Sequence, residues 1–223
     1  MWRARRESRG GGKSNPAIYC LKCDVSKYFD NVNHGILLKL VGKKIKCDKT
    51  MELMGKIIKS DNAPSGKGIP IGNLTSQLFA NIYLNELDCF IKRNLRARYY
   101  IRYMDDFLIL DFSKKKLHQA KEEIRRFLEN NLRLKLHPKK ANVCPADKGI
   151  DFLGYVVFEN YRLLRKSTIK RFIKRTKKYA KKVEQNQLTK DKFAQSVASW
   201  TAYAGFGNSW RLRRKLGRKG GLI

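Results

Sequence analysis

Acidic residues are scarce in this chain. Its 223 residues hold 19 Asp and Glu against 50 Lys and Arg, a net charge of +31. That imbalance exceeds what solubility needs and attracts polyanions over long range, so nucleic acid is the first partner to consider. The excess is uneven, because Arg162 to Lys219 hold 19 Lys and Arg against only Glu184 and Asp191. A solvated helix face explains any single basic run but not so lopsided a sum. Long apolar runs are missing too. Nothing approaches the roughly 20 residues of a membrane span, and the opening Met1-Trp2-Arg3-Ala4-Arg5-Arg6 lacks the apolar stretch of a secretory signal. A soluble, cytoplasmic protein with no membrane partner is expected.

Cysteine and histidine are sparse. Five cysteines, an odd number without paired spacing, fit a reducing compartment. Cys20-Leu21-Lys22-Cys23 resembles a metal or redox spacing, but on a strand its two thiols point to opposite faces, and no second Cys or His pair stands at ligand spacing. It reads as structural. His34, His118 and His137 are scattered without a nucleophile partner and receive no catalytic role. The hydrophobic content of 42 % suffices for a sizeable core, as one domain with an appended subdomain.

Where acids are few, their placement is informative. Tyr103-Met104-Asp105-Asp106 lies between the apolar runs Tyr99–Arg102 and Phe107–Leu110, which puts adjacent carboxylates at the tip of a β-hairpin. Asp-Asp is also an ordinary turn dipeptide. A third acid, Asp24, ends another strand-like run, Ile18 to Cys23, so one sheet edge can gather all three carboxylates. Like charges so placed need hard cations, and such a cluster can hold two Mg²⁺ ions roughly 3.5–4 Å apart for attack on a phosphate.

The remaining pattern is mixed. After a Gly-rich lead-in, Asn33 caps a helix using Ile36, Leu37, Leu40 and Val41, and a second helix is expected over Glu52–Ser60. Pro64, Gly66, Gly68, Pro70 and Gly72 then interrupt regular structure. From Leu74 a helix buries Leu78, Phe79, Ile82, Leu87, Phe90 and Ile91, with Thr75 or Ser76 as its cap; a Gly-rich loop before a helix suits phosphate or sugar approach. A helix over Lys114–Asn131 follows, and then Leu132, Leu134 and Leu136 alternate as in a strand. Asp151–Phe158 reads as one strand with Gly154 close to a ligand, and everything beyond Arg162 as helical. Trp200, Tyr203, Phe206 and Trp210 are either core or base-stacking residues.

Five segments occur in a telling order: Asp24-Val25-Ser26-Lys27-Tyr28-Phe29-Asp30, Gly68-Ile69-Pro70-Ile71-Gly72-Asn73-Leu74-Thr75-Ser76-Gln77, Tyr103-Met104-Asp105-Asp106, Leu136-His137-Pro138-Lys139-Lys140 and Phe152-Leu153-Gly154-Tyr155. Together they resemble the palm of a reverse transcriptase. The Ile71–Gln77 segment, where most relatives carry Gln first and Pro last, is similar to enzymes of diversity-generating retroelements, as are Ser199-Trp200, Tyr203-Ala204 and Ser209–Leu212.

The resemblance implies an α+β fold: an antiparallel palm sheet with helices packed on one face (18–160), then a basic helical thumb (161–223). Only about 17 residues precede the Asp24 strand, so the fingers are expected to be truncated to a lead-in. The implied activity is RNA-directed DNA polymerase, error-prone at template adenines; the alternatives are a non-catalytic RNA-binding remnant and a group II intron maturase-like protein. Asp24, Asp105, Asp106 and the Val25 carbonyl would hold two Mg²⁺, with Mn²⁺ able to substitute. Phe29 would exclude a ribose 2′-hydroxyl, or else pack in the core. Ile71, Gly72 and Gln77 would line the nascent base pair, and Lys140 would assist the departing pyrophosphate, or else be a plain surface lysine. Phe152–Tyr155 would grip the primer. Template RNA, a DNA or RNA primer, dNTPs and a basic helical accessory protein are the implied partners.

Overall fold

The central strand of the first unit is β1 (Tyr19–Asp24) in the computed structural model, which describes residues 16–60, 66–70 and 72–218. β1 lies between β3 (Asp106–Asp111) and β4 (Asn142–Pro145), and β2 (Tyr99–Tyr103) completes an antiparallel sheet of order β2-β3-β1-β4. Alternation decides the two faces. Leu21 and Cys23 oppose Ile109 and Phe107, and all four are buried in one core. Lys22 and Asp24 oppose Leu108 and Asp106 on the other face.

Helices cover the first face. After the one-turn α1 (Tyr28–Asn31) comes α2 (His34–Gly42), whose first turn is capped by Asn33 accepting from the Ile36 amide at 3.0 Å; it buries Leu37, Leu40 and Val41. α3 spans Asp48–Ile58, four residues earlier than the sequence suggests, with Asp48 favourably placed at its N-terminus. α4 (Leu74–Cys89) is capped by Asn73, not by Thr75 or Ser76, and its buried stripe runs through Ser76, Phe79, Ala80, Tyr83, Leu84 and Leu87. That stripe turns Leu78 outward, 59 % exposed, contrary to its expected burial. α5 (Lys114–Phe127) buries Leu117 and Ile124. Both long helices end in π-helical turns, Phe90–Asn94 and Leu128–Leu132, and the Phe90 and Phe127 rings stack at 4.3 Å.

The expected strand at Leu132–Leu136 does not form. Arg133 adopts a left-handed φ of 52°, Leu134 donates to the Leu128 carbonyl, and Leu132 and Leu134 enter the core from an irregular segment. β4 was not anticipated; it is a four-residue edge strand ending in Pro145, where a missing N–H costs nothing.

The first compact unit ends at Pro145 and the second begins at Ala146. This division precedes the three-stranded sheet β5 (Ile150–Phe152), β6 (Tyr155–Val157) and β7 (Arg162–Leu164). The single strand expected over Asp151–Phe158 is a hairpin, because Leu153 (φ 49°) and Gly154 (φ 87°) form a tight left-handed turn. A Cβ at Gly154 would collide with the Tyr203 hydroxyl, which donates to the Leu153 carbonyl at 3.2 Å. The close approach at this glycine comes from Tyr203. Arg162–Leu164 is strand, and helices begin only at α6 (Lys166–Glu184), followed by α7 (Lys190–Gly205) and α8 (Trp210–Arg218). Leu164, Phe172, Trp200 and Ala204 form the core of this unit, with the Phe172 and Trp200 rings stacked at 3.8 Å.

Candidate active site

Asp24 and Asp106 are direct register partners across β1 and β3, and Asp105 immediately precedes Asp106 in the two-residue connection of the β2–β3 hairpin. Three carboxylates from distant sequence thus share one end of the sheet. Met104, at φ 55°, makes the sharp reversal. Asp24 is buried to 8 % exposure, and its backbone carbonyl accepts from the His137 amide at 2.8 Å. Lys140, brought back by the segment before β4, places Nζ 2.8 Å from Asp24 Oδ2. That hydrogen bond raises the lysine's pKa and keeps it charged.

Burial pushes both Asp105 and Asp106 above the ordinary carboxylate range, with the neighbouring Asp24 charge adding to each shift; Lys140 opposes it at both, and Lys22 also at Asp106. Crowded, half-desolvated carboxylates of this kind are hard oxygen donors that fit a divalent cation such as Mg²⁺. Among the described residues, no three His, Cys, Asp or Glu side chains converge tightly enough to close around an ion by themselves. Part of the negative charge is instead neutralised by Lys140.

A network absent from sequence reasoning braces the hairpin. Arg102 donates from Nε and Nη2 to both oxygens of Asp88 on α4, at 2.7 and 2.5 Å. Its Nη1 donates to the Met104 carbonyl at 3.0 Å and to Asn81 Oδ1 at 3.1 Å. Tyr100 Oη also donates to Asp88, at 2.6 Å. The guanidinium fork therefore links α4 to the residue that aims Asp105. The usable signal was strand alternation: Arg102 and Tyr100 fall on the inward face of β2, where a charge requires a partner. Tyr28, also overlooked, is 2 % exposed and donates to the Ala80 carbonyl at 2.6 Å, tying α1 to α4.

The other sequence-predicted residues lie around this centre in different ways. The hydrogen bonds of the Val25–Leu136 bridge use Ser26 N and Asp24 O, leaving the Val25 carbonyl outside that pairing. Phe29 is half-buried and packs against the core, while its carbonyl accepts from the Ile69 amide at 3.0 Å. His34 Nε2 lies 2.6 Å from the Gly68 carbonyl, a structural role. Gly72 takes φ 95° in open space, and Gln77 is exposed in the first turns of α4. Asn81, one turn beyond Gln77, donates to its carbonyl and approaches Met104 Sδ at 4.0 Å. Ile71 and the Gly10–Asn15 lead-in lie outside the described residues. Cys20 and Cys23 are buried on opposite faces of β1, with burial raising each thiol to about 12.

A family model described as "Reverse transcriptase (RNA-dependent DNA polymerase)" matches residues 8–157. Protein YkfC of Escherichia coli (strain K12) is 30 % identical over 186 residues, covering 66 % of this chain and 47 % of YkfC. The group II intron-encoded protein LtrA of Lactococcus lactis subsp. cremoris is 26 % identical over 223 residues, covering 70 % of this chain and 37 % of LtrA. The chain thus spans less than half the length of these curated relatives. Among solved structures, telomerase from Candida tropicalis in complex with a fragment of telomeric RNA aligns at a TM-score of 0.52 and 16 % identity, over 66 % of this chain and 29 % of that one, a likeness of fold. No helix among the described residues is long and apolar enough to cross a membrane.

Proposed function

The chain belongs to the reverse transcriptase family, and on that footing we propose that it is an RNA-directed DNA polymerase copying a template RNA from a DNA or RNA primer. The observation that carries this reading is the facing of Asp24 and Asp106 across β1 and β3, with Asp105 beside them and Lys140 on Asp24. Asp24 and Asp105 would hold two Mg²⁺, for which Mn²⁺ could substitute; Asp106 would complete the acidic patch and the Val25 carbonyl would add an oxygen. Bound there, the ions supply activation of the primer 3′-hydroxyl and neutralisation of charge on the dNTP phosphates. Lys140 gives a proton to the departing pyrophosphate in this reading, which its hydrogen bond to Asp24 and the charge that bond sustains support. Phe29 sits beneath the sugar and discriminates against NTPs, while Gly72 and Gln77 on the α4 approach line the nascent base pair with Ile71.

Two kinds of retroelement enzyme fit this chemistry. Ile71 in place of a polar side chain weakens geometric checking of the base pair, which supports error-prone copying opposite template adenines in the manner of diversity-generating retroelements, with a basic helical accessory protein as partner. The identity with LtrA supports an intron-type enzyme of ordinary fidelity instead. Primer extension on an RNA template with Mg²⁺, with Asp105→Ala as control, tests the common reading: extension abolished by the substitution is expected, whereas RNA binding without extension in either protein would make the chain a binding protein. Sequencing the products separates the finer readings, since misincorporation at template A no higher than at other bases removes the error-prone assignment.

A further inference from the structure

Among the described residues of the second unit, Phe206 and Trp210 are the most exposed large apolar side chains, at 66 % and 61 %, against 45 % or less for any other. They bracket the short connection between α7 and α8, and that connection is fixed. The Phe206 amide donates to the Tyr203 carbonyl at 3.3 Å, and the Phe206 carbonyl accepts from Arg162 Nε. Asn208 exchanges two hydrogen bonds with the Arg162 backbone, at 2.8 and 3.3 Å, and Ser209 Oγ donates to the Ala204 carbonyl at 2.5 Å. Two aromatic rings are therefore held out on an ordered backbone. Trp200, by contrast, lies in the core stacked on Phe172, and Tyr203 packs on Tyr155, so of the four aromatics in this stretch only Phe206 and Trp210 are open to solvent.

Charge identifies the occupant. α8 sends Leu212 and Leu216 toward the core, leaving Trp210, Arg211, Arg214 and Lys215 on its exposed side. The Arg214 guanidinium lies 5.2 Å from the Trp210 ring centroid, one helical turn away, and no acidic residue follows Asp191 in the sequence. An apolar protein partner has no use for so uniformly basic a rim, whereas unpaired nucleotides offer both a π-face and a phosphate. We propose that Phe206 and Trp210, rimmed by Arg211, Arg214 and Lys215, form a stacking platform for unpaired bases of single-stranded nucleic acid. Rings supply stacking that tolerates any base, and the rim follows the phosphates. A base-paired duplex hides its base faces and gains only the charge.

The test uses the whole chain without metal or dNTP, so it is independent of the polymerase reading. Fluorescence anisotropy measures affinity for a labelled single-stranded RNA, the same sequence as DNA, and a blunt RNA–DNA duplex. Trp210→Ala and Phe206→Ala are each expected to weaken single-strand binding roughly 5- to 150-fold, the range for loss of one stacked base, while leaving duplex binding within about twofold. Trp210→Phe should retain most single-strand affinity, and near-UV circular dichroism should show the stacked Trp200 undisturbed. The RNA and DNA arms show which strand is preferred. Equal losses on single strand and duplex, or no loss on either, would overturn the proposal; the second result would point to a protein contact.

Discussion

Removing the Asp88 carboxylate should damage the acidic hairpin from the far side of β2. Arg102 and Asp88 have side chains only 11 % and 27 % exposed, and their fork is bidentate. Breaking one partner of a buried pair costs about 3–5 kcal/mol, since it strands the other charge. The partial exposure of Asp88 puts Asp88→Ala near the lower end, about 3 kcal/mol, or a melting temperature about 6–12 °C lower at about 2–4 °C per kcal/mol. A second variant separates stability from positioning. Replacing the cluster by Asp88→Leu, Tyr100→Phe and Arg102→Met leaves no stranded charge and should recover most of the melting temperature. The Met104 carbonyl still lacks its donor, however, so primer extension should remain depressed in kcat. Melts within 2 °C of the parent for Asp88→Ala would mean that solvent screens the fork, roughly as in a surface pair. Full extension by the triple variant would mean that Arg102 acts only through stability.

Other outcomes follow from the same geometry. Asp106 is held above its unfolded pKa by burial and by Asp24 and Asp105, against Lys22 and Lys140, so the folded state binds its proton more tightly than the unfolded chain. Stability from this group is full below the ordinary value of about 3.9 and is lost as pH rises through the folded pKa. Asp106→Asn should therefore melt higher than the parent in EDTA at pH 8, with the gap closing toward pH 4; an equal or lower melt at pH 8 refutes the claim. Gly154→Ala meets both a left-handed backbone and the Tyr203 hydroxyl, at a combined cost of about 2–3 kcal/mol from αL strain and one lost hydrogen bond, measurable by urea titration. Asn73→Ala should cost about 1 kcal/mol in the same titration through loss of the α4 cap.

The shared edge of the three carboxylates was legible because two of them are adjacent and the third ends a strand-like run. Tyr103-Met104-Asp105-Asp106 and the Asp24 strand needed only period-two alternation to predict one shared sheet edge, and β1 and β3 place them there. The brace was not legible, since Arg102 and Asp88 are joined by packing across 14 residues, and only the inward position of Arg102 hinted at a partner. The errors in the fold share a cause. Leu132–Leu136 and Asp151–Phe158 show strand-like apolar patterns, but left-handed residues bend the backbone, Arg133 in the first and Leu153 with Gly154 in the second, and nothing in the Arg133 or Leu153 side chain announces it. Of the stripe expected on α4 only Leu78 faces outward, as Leu74 does at the helix start, an exception to the rule that a helix buries its leucines; Phe79, Leu87 and Ile91 are buried, and Ile82 and Phe90 pack against the core.

The register of β1 against β3 has a consequence for how variants should be interpreted. The pairing that opposes Asp24 to Asp106 is the same one that opposes Leu21 to Ile109 and Cys23 to Phe107. A slip of one residue would carry the carboxylates into the apolar layer and the apolar side chains out, so a form slipped by one residue cannot keep the core while losing the acidic pair. Assembly of the acidic pair and formation of the hydrophobic layer are one cooperative event. A variant that melts like the parent has kept its two strands from slipping by one residue, and a loss of the proposed polymerisation in such a variant reports on chemistry or substrate contact, not on that slip.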